Sequence, residues 1–261
     1  MTTPTIPVYL VSLEQDTARR DAFKQRFPGI WPAITHLPAV DGRKLDATSY
    51  FMHAKGSLQA GRGIMSPAEV GCALSHLAAL NAFLASGHKQ ALILEDDVLG
   101  NDADIERAIK LAGELAERDI LICGGQEALS HRKYQLGKQG RNPQHYILAP
   151  FSYRYMFRTC CYIVSRPAAE RIIATQEKGL RVADDWGAFF DNSGIHMHLI
   201  NALSHPEDLS SSRIEAERID VSKSRGKKFS SLSERFRNRA WRIARKIRIA
   251  YLLARGYRPA R

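Results

Sequence analysis

Three acids in a row, Glu95-Asp96-Asp97, close the apolar run Ala91–Leu94 and form the sharpest chemical signal in the chain. Adjacent carboxylates repel one another, and a bound cation relieves that repulsion. Hard oxygen donors suit Mg2+ or Mn2+, ions that keep positions open for substrate phosphates. In an extended chain alternate residues share a side, so Glu95 and Asp97 are expected to face one ion. A solvated turn is the competing reading of the same three residues. Upstream, Glu69, Cys72 and His76 are spaced for one helix face, as is Ser75. Glu69, Cys72 and His76 can in principle hold a soft metal, but helix capping by Glu69 and packing of Cys72 explain two of the three without an ion. Farther on, His196 and His198 alternate in IHMHLI and share one strand face, and His205 follows before Pro206.

These residues need elements to place them. Pro7–Leu13 reads as a buried first strand, followed by a helix with Phe23 and Phe27 at i, i+4. Asp41-Gly42 has turn chemistry. Ser66-Pro67-Ala68-Glu69 is a strong helix start, with serine as N-cap, proline at N1 and glutamate closing a capping box. That helix is expected to stop at Gly87, and QALILEDDV follows as a strand that ends in the acids. Asp102 is expected to cap another helix, Asp119–Cys123 to form a second buried strand, and Cys160–Val164 a third before the helix Pro167–Lys178. Residues 126–157 read as a long, basic, tyrosine-rich excursion. The alternation of β and α with nearly continuous apolar strands points to an α/β fold, a mostly parallel sheet covered by helices on both faces. In such sheets ligands bind beyond the carboxyl ends of the strands, where the acidic triplet falls.

Charge divides the chain in two. The formal net charge is +11 over 261 residues, yet residues 223–261 hold 14 Lys or Arg against one acid. The remainder, 1–222, is therefore close to neutral and is expected to be the catalytic domain. Residues 222–231 read as a linker. From Leu232 to Ala254 a helical wheel gathers Leu232, Phe236, Ile243, Ile247 and Tyr251 on one side and basic residues on the rest. A basic amphipathic helix of this kind is expected to lie on an anionic membrane surface, with packing on the body as its competitor. Nucleic acid is not an expected partner, because the body lacks the basic face such binding needs. The N-terminus has no signal-peptide pattern and no run of 18 apolar residues occurs, so a cytoplasmic location is expected, peripheral on the inner face of the cytoplasmic membrane. The four cysteines fit no zinc spacing and read as buried thiols.

Four blocks in order resemble glycosyltransferase family 25, the lipopolysaccharide-type galactosyltransferases: VYLVSLEQDTARR, AVDGRKL, SPAEVGCALSHLAAL with ALILEDDV, and CYIVSRPAAERI with VADDW. The resemblance spans roughly residues 6–215 and implies a GT-A-like fold, a UDP-sugar donor, a glycan or lipid-linked glycan acceptor and inversion at the anomeric carbon. It implies donor binding by Arg19 and Arg20, by Asp41 at the ribose, and by Glu69, Ser75, His76, Glu95 and Asp96. It further implies a metal held by Glu95 and Asp97 with a late histidine, His196 or His205. A reaction of this type needs a carboxylate to take the acceptor proton. Asp184 or Asp185 is the candidate, with Trp186 against a sugar ring; a helix N-cap is the alternative for either aspartate. Tyr134, Tyr146, Tyr153 and Tyr155 are candidates for an acceptor platform, with a surface loop as the competing reading. The same acids would also serve a metal-dependent nucleotidyltransferase or phosphohydrolase, and a non-enzymatic binding protein acting through the tail is the reading from another class.

Overall fold

The computed structural model describes residues 4–59, 63–206 and 232–260. Val8–Ser12 forms β1, buried along its whole length, and α1 (Thr17–Arg26) leads to β2 (Ile34–Pro38). Helices α2 (Ala47–Gln59) and α3 (Pro67–Ala85) precede β3 (Gln90–Glu95), and α4 (Asp102–Ala112) precedes β4 (Ile120–Gly124). The hairpin β5 (Leu136–Gln139) and β6 (His145–Leu148), the one-turn α5 (Pro150–Tyr153), β7 (Cys161–Ser165) and α6 (Arg166–Gln176) follow. Last come α7 (Trp186–Phe190), β8 (Met197–Leu203), α8 (Leu232–Ala254) and the short β9 (Arg258–Pro259).

The strands make one sheet in the order β2-β1-β3-β7-β4-β8-β6-β5-β9. Parallel pairing holds for β1–β2, β1–β3 and β4–β8. The pairs β3–β7, β4–β7, β5–β6, β6–β8 and β5–β9 are antiparallel, so the sheet is mixed rather than mostly parallel. The cause lies in residues 126–157. They leave the carboxyl end of β4 and return to that same end, so β7 must run backwards between β3 and β4. The stretch expected as an excursion also contains β5, β6 and α5, whose strands of four residues are too short and polar to show a period.

Alternation along the central strands sets the two faces. Ala91 and Ile93 of β3 join one core cluster with Leu80 and Phe83 of α3, Ile172 of α6 and Phe189 of α7. Leu92 and Leu94 join the other, with Phe23 of α1, Phe27 just after it and Ile105 of α4. Helices therefore cover both faces, as the α/β reading requires. The capping box of α3 is present, Ser66 Oγ accepting from Glu69 N and Glu69 from Ser66 N. At α4 the cap is Asn101, not Asp102; Asp102 instead accepts from Gly29 N and Ile30 N, each at 2.9 Å. Among the described residues α3 is the one helix long and apolar enough to cross a membrane, and its Val70, Ala79, Leu80 and Phe83 are buried in the protein.

The basic tail closes onto the sheet. β9 pairs with β5, Ala260 N donates to Gln135 O at 2.8 Å, and Leu252 is buried with Leu136 and Ala149. Arg245 lies 4.6 Å over the Tyr134 ring. Arg245, Ile249 and Leu252 thus share the docked side of α8. Ile243, Ile247 and Tyr251, on the far side of the wheel, are 51%, 65% and 51% exposed. Packing on the body and an outward apolar stripe coexist on opposite sides of one helix. The linker 222–231 and the side chains of Leu232 and Phe236 lie outside the described residues.

Candidate active site

The faces of β3 separate the acids. Glu95 continues the series Ala91, Ile93 toward α3. Its Oε1 meets His76 Nε2 at 3.2 Å and accepts from Thr159 Oγ1 at 2.6 Å. His76 is buried, with Nδ1 3.0 Å from the Tyr162 hydroxyl. Asp96 takes the α1 face. Ser12 Oγ, at the end of β1, donates to its Oδ2 at 2.6 Å, and Arg19 Nη2 lies 2.6 Å from its Oδ1. Arg26, seven residues along α1 from Arg19, donates to its carbonyl at 3.0 Å.

After Glu95 the chain turns, so strict strand alternation no longer holds. Asp97 Oδ2 lies 2.8 Å from Arg19 Nη2 and 3.5 Å from His205 Nε2. Asp97 thus sits with Asp96 under Arg19 and beside His205, while Glu95 is held by His76 and Thr159, and all three acids line one pocket. The cation that relieves the carboxylate repulsion here is the Arg19 guanidinium. A further ion would still find a donor, because Asp97 Oδ1 is buried with no hydrogen-bond partner. The electrostatics follow the contacts. Burial, outweighing Arg19 and Ser12 and reinforced by Asp97 and Glu95, lifts the Asp96 carboxyl to about 6. At Asp97 burial acts upward too, but His205 and Arg19 hold it below the usual range. His205 is raised: burial disfavours its charge, and Asp97 more than compensates.

Beside the triplet opens a pocket of ≈ 140 Å³, walled by Arg19, Val40, Asp41, Cys72, Ser75 and His76. Its wall depends on two glycines. A Cβ on Gly42 would stand 1.7 Å from Pro67 O, and one on Gly71 2.4 Å from Val40 O, so only glycine lets the Asp41-Gly42 turn seat against α3. Ser75 Oγ accepts from Val40 N at 2.8 Å and donates to Gly71 O at 2.6 Å, clamping the same wall. Asp41 lines the pocket with its carboxylate engaged by Arg43 at 2.7 and 2.6 Å. Hydrogen bonding from Arg43 draws its carboxyl down to about 2.

Other expected residues fall elsewhere. Arg20 donates to the carbonyls of Leu13 and Glu14, bracing the turn after β1 instead of lining the pocket. Glu69 caps α3. His196 precedes β8 at the opposite end of the sheet from the triplet; its side chain is 62% exposed and 3.4 Å from Asp119, so it does not join the metal residues. Two residues on, His198 of β8 bonds Asp119 at 3.1 Å and His145 at 2.9 Å in a buried chain. Asp185 pairs with Arg181 at 3.2 Å, while Asp184 Oδ2 accepts from Arg158 N at 2.8 Å, one residue from the Thr159 that holds Glu95. Trp186 is buried against Tyr162 and Phe190 and offers no ring to a sugar. Tyr153, a candidate from sequence for an acceptor platform, is likewise core. Cys72, His76 and Glu95 bring ligand atoms within 4.8 Å of one another, but both His76 nitrogens already have partners in Glu95 and Tyr162. Ser12, Arg26, Thr159 and Tyr162 are the contacts that sequence reading missed. Only their places marked them, Arg26 at the end of α1 and the others at strand ends, and which elements are neighbours is a matter of topology.

Carboxylates and a histidine beyond the carboxyl ends of strands, beside an open pocket, occupy the place where α/β proteins bind ligands. Residues 5–186 match the model of Glycosyltransferase family 25 (LPS biosynthesis protein), and the chain belongs to that family. It is 26% identical over 196 residues to a glycosyltransferase 25 family member of Anopheles gambiae, covering 71% of this chain and 32% of the relative. A family member of Drosophila pseudoobscura pseudoobscura is 29% identical over 126 residues, 45% of this chain and 20% of the relative. The chain therefore spans about a third or less of the length of these relatives. Among solved structures, A197 from STIV is similar at a TM-score of 0.41 and 13% identity, covering 77% of this chain and 85% of that one. The mannose-1-phosphate geranyltransferase of Thermus thermophilus is similar at a TM-score of 0.39 and 11% identity, over 78% and 75% of the two chains.

Proposed function

We propose that the chain is an inverting, metal-dependent glycosyltransferase. It moves a hexose, galactose or glucose, from a UDP-sugar to a hydroxyl of a lipopolysaccharide-type glycan. Family membership supports the reaction class. The observation that carries the site assignment is the buried, unpartnered Asp97 Oδ1 beside His205 at the pocket that runs to Asp41. Mn2+ or Mg2+ would be held by Asp97 and His205, with Glu95 and Asp96 close by, and when bound it supplies charge neutralisation for the diphosphate.

The chain's own residues then have distinct tasks. The pocket between Asp41 and His76 receives the nucleoside. Ser12 and Arg19 orient Asp96, and Thr159 and His76 orient Glu95, so the carboxylates keep their places as charge develops. Asp184 serves as the base: it takes the proton from the acceptor hydroxyl as that oxygen bonds to the anomeric carbon, and the bond from that carbon to the diphosphate breaks to release UDP. Asp184 is preferred to Asp185 because Arg158 and Thr159, consecutive residues, tie Asp184 and Glu95 to one stretch of backbone, whereas Asp185 is engaged with Arg181. The outward stripe of α8, with Arg239, Arg242, Lys246 and Arg248 on the same helix, supports a peripheral position on an anionic membrane, the inner face of the cytoplasmic membrane, where a lipid-linked acceptor resides.

A screen of UDP-hexoses with manganese, read by UDP release and product mass, tests the reading. One UDP-hexose should be turned over with a glycan lengthened by one residue. Release of pyrophosphate or phosphate without a glycan product would favour a nucleotidyltransferase or phosphohydrolase instead.

A further inference from the structure

One arginine is held at this site for no reason the triplet or the pocket wall supplies. Arg158 precedes β7 with φ of 67°, a left-handed backbone that a residue with a Cβ adopts only at a cost. It is fixed at three points. Its backbone N–H donates to Asp184 Oδ2 at 2.8 Å, and its Nη1 donates to the carbonyls of Gly125 at 2.7 Å and Glu127 at 3.2 Å. Among the described residues it forms no ion pair, whereas Arg19, Arg43, Arg154 and Arg181 each face a carboxylate. Two backbone carbonyls orient the guanidinium without neutralising it. Its Nε and Nη2 edge, a fork that matches two oxygens of a phosphate, is left for a ligand.

The surroundings say which ligand. Gly125, which anchors the guanidinium, backs onto His205: a Cβ there would stand 3.8 Å from His205 Cβ. His205 in turn reaches Asp97 at 3.5 Å. Arg19 approaches Asp97 from α1, and Arg158 stands beyond His205 on the β4–β8 side. A polyanion lying along the carboxyl ends of the strands from the pocket would pass between the two guanidinium groups. We propose that Arg158 is a phosphate-binding residue that grips the diphosphate of the nucleotide-sugar donor on the side of Asp97 opposite Arg19. This rests on the donor assigned above and extends the site by a residue outside the pocket wall.

Calorimetric titration of UDP, UMP and uridine in the presence of Mn2+ tests it, with wild type, Arg158→Gly and Arg158→Lys. Glycine relieves the left-handed backbone, so its melting temperature should match or exceed that of wild type. Loss of a charged hydrogen-bonding pair should weaken UDP by about 10- to 100-fold in Arg158→Gly, leave uridine within about twofold, and place Arg158→Lys between. Two results overturn the proposal while leaving the donor reading intact. One is UDP affinity in Arg158→Gly within about twofold of wild type; in that case a raised KM for an anionic acceptor would move the phosphate to the acceptor. The other is parallel loss of uridine and UDP with a lowered melting temperature, the signature of a brace for the Gly124-Gly125 turn. Failure of wild type to bind UDP at all would overturn the donor reading and this proposal together.

Discussion

Replacing Asp97 by asparagine should separate chemistry from folding. The side chain keeps its shape, so an amide oxygen can still accept from Arg19, now 2.8 Å from Asp97 Oδ2 and 2.6 Å from Asp96 Oδ1. Arg19 is 37% exposed, and an ion pair so open to water contributes no more than about 1 kcal/mol. Removing one of three crowded negative charges offsets part of that loss. The net stability change should stay within about 1 kcal/mol, a shift of roughly 2–4 °C or less in a domain of this size. Chemistry should respond very differently. If a divalent ion needs the buried Oδ1 of Asp97, its loss removes several kcal/mol of charge stabilisation. At about 1.4 kcal/mol per factor of ten, that is on the order of a hundred- to ten-thousandfold in metal-dependent UDP release. Manganese affinity, read by electron paramagnetic resonance of the free ion, should fall with it. A variant that retains wild-type manganese affinity and turnover would show that Asp97 does not hold the ion, and the site assignment would fall. A variant that loses activity only because it unfolds would show up in the melting curve.

Four further outcomes follow from the same structure. Thr159→Val removes the 2.6 Å hydrogen bond to Glu95 while keeping the shape, and should lower kcat/KM by about tenfold with little change in melting temperature, measured by UDP release and calorimetry. Asp96, lifted to about 6 from an ordinary value near 3.9, binds its proton more tightly in the folded state. Its contribution favours folding at low pH and is lost as pH rises from about 4 to about 6. Metal-free wild type should therefore lose on the order of 2 kcal/mol relative to Asp96→Asn across that window, and parallel pH–melting curves for the two would refute this. On α8, Ile247→Glu should weaken binding to anionic vesicles by tenfold or more without lowering the melting temperature, since Ile247 is 65% exposed. Leu252→Ala, on the docked side, should instead cost about 2–3 kcal/mol in stability. Deleting 223–261 is the poorer experiment, because it strips β9 from the edge of β5 as well.

Much of this protein is legible before any coordinates. The Ser-Pro-x-Glu start of α3 is local chemistry, two side-chain bonds within four residues, and it forms as written. Glycine at 42 and 71 can be flagged from the turn and the helix, although the reason, two backbones in contact, is tertiary. The acids at the end of β3 follow from an apolar run meeting three charges. Less was readable where pairing partners are distant. The strands β5 and β6 have four residues each, and β7 runs antiparallel because the chain happens to return to the end it left. His196 looked equivalent to His205 as a late histidine; a strand running from one end of the sheet to the other puts about 7 residues of rise, roughly 23 Å, between its two ends.

By itself the sequence determined the local elements, the acidic cluster at a strand end, the capped helix before it, the near-neutral body and the basic stripe of α8. Each depends on residues within a turn or two of one another, where propensity and spacing decide. Tertiary structure alone decided how the triplet divides. Alternation sent Glu95 to His76 and Asp96 to Arg19, the turn after Glu95 swung Asp97 to His205, and the order of strands brought Arg158 and Asp184 alongside. Those contacts join residues as far as 108 positions apart, Asp97 with His205, and no local rule links them. The physical reason is that a carboxylate's role is set by which charges and donors surround it, and those come from neighbouring strands.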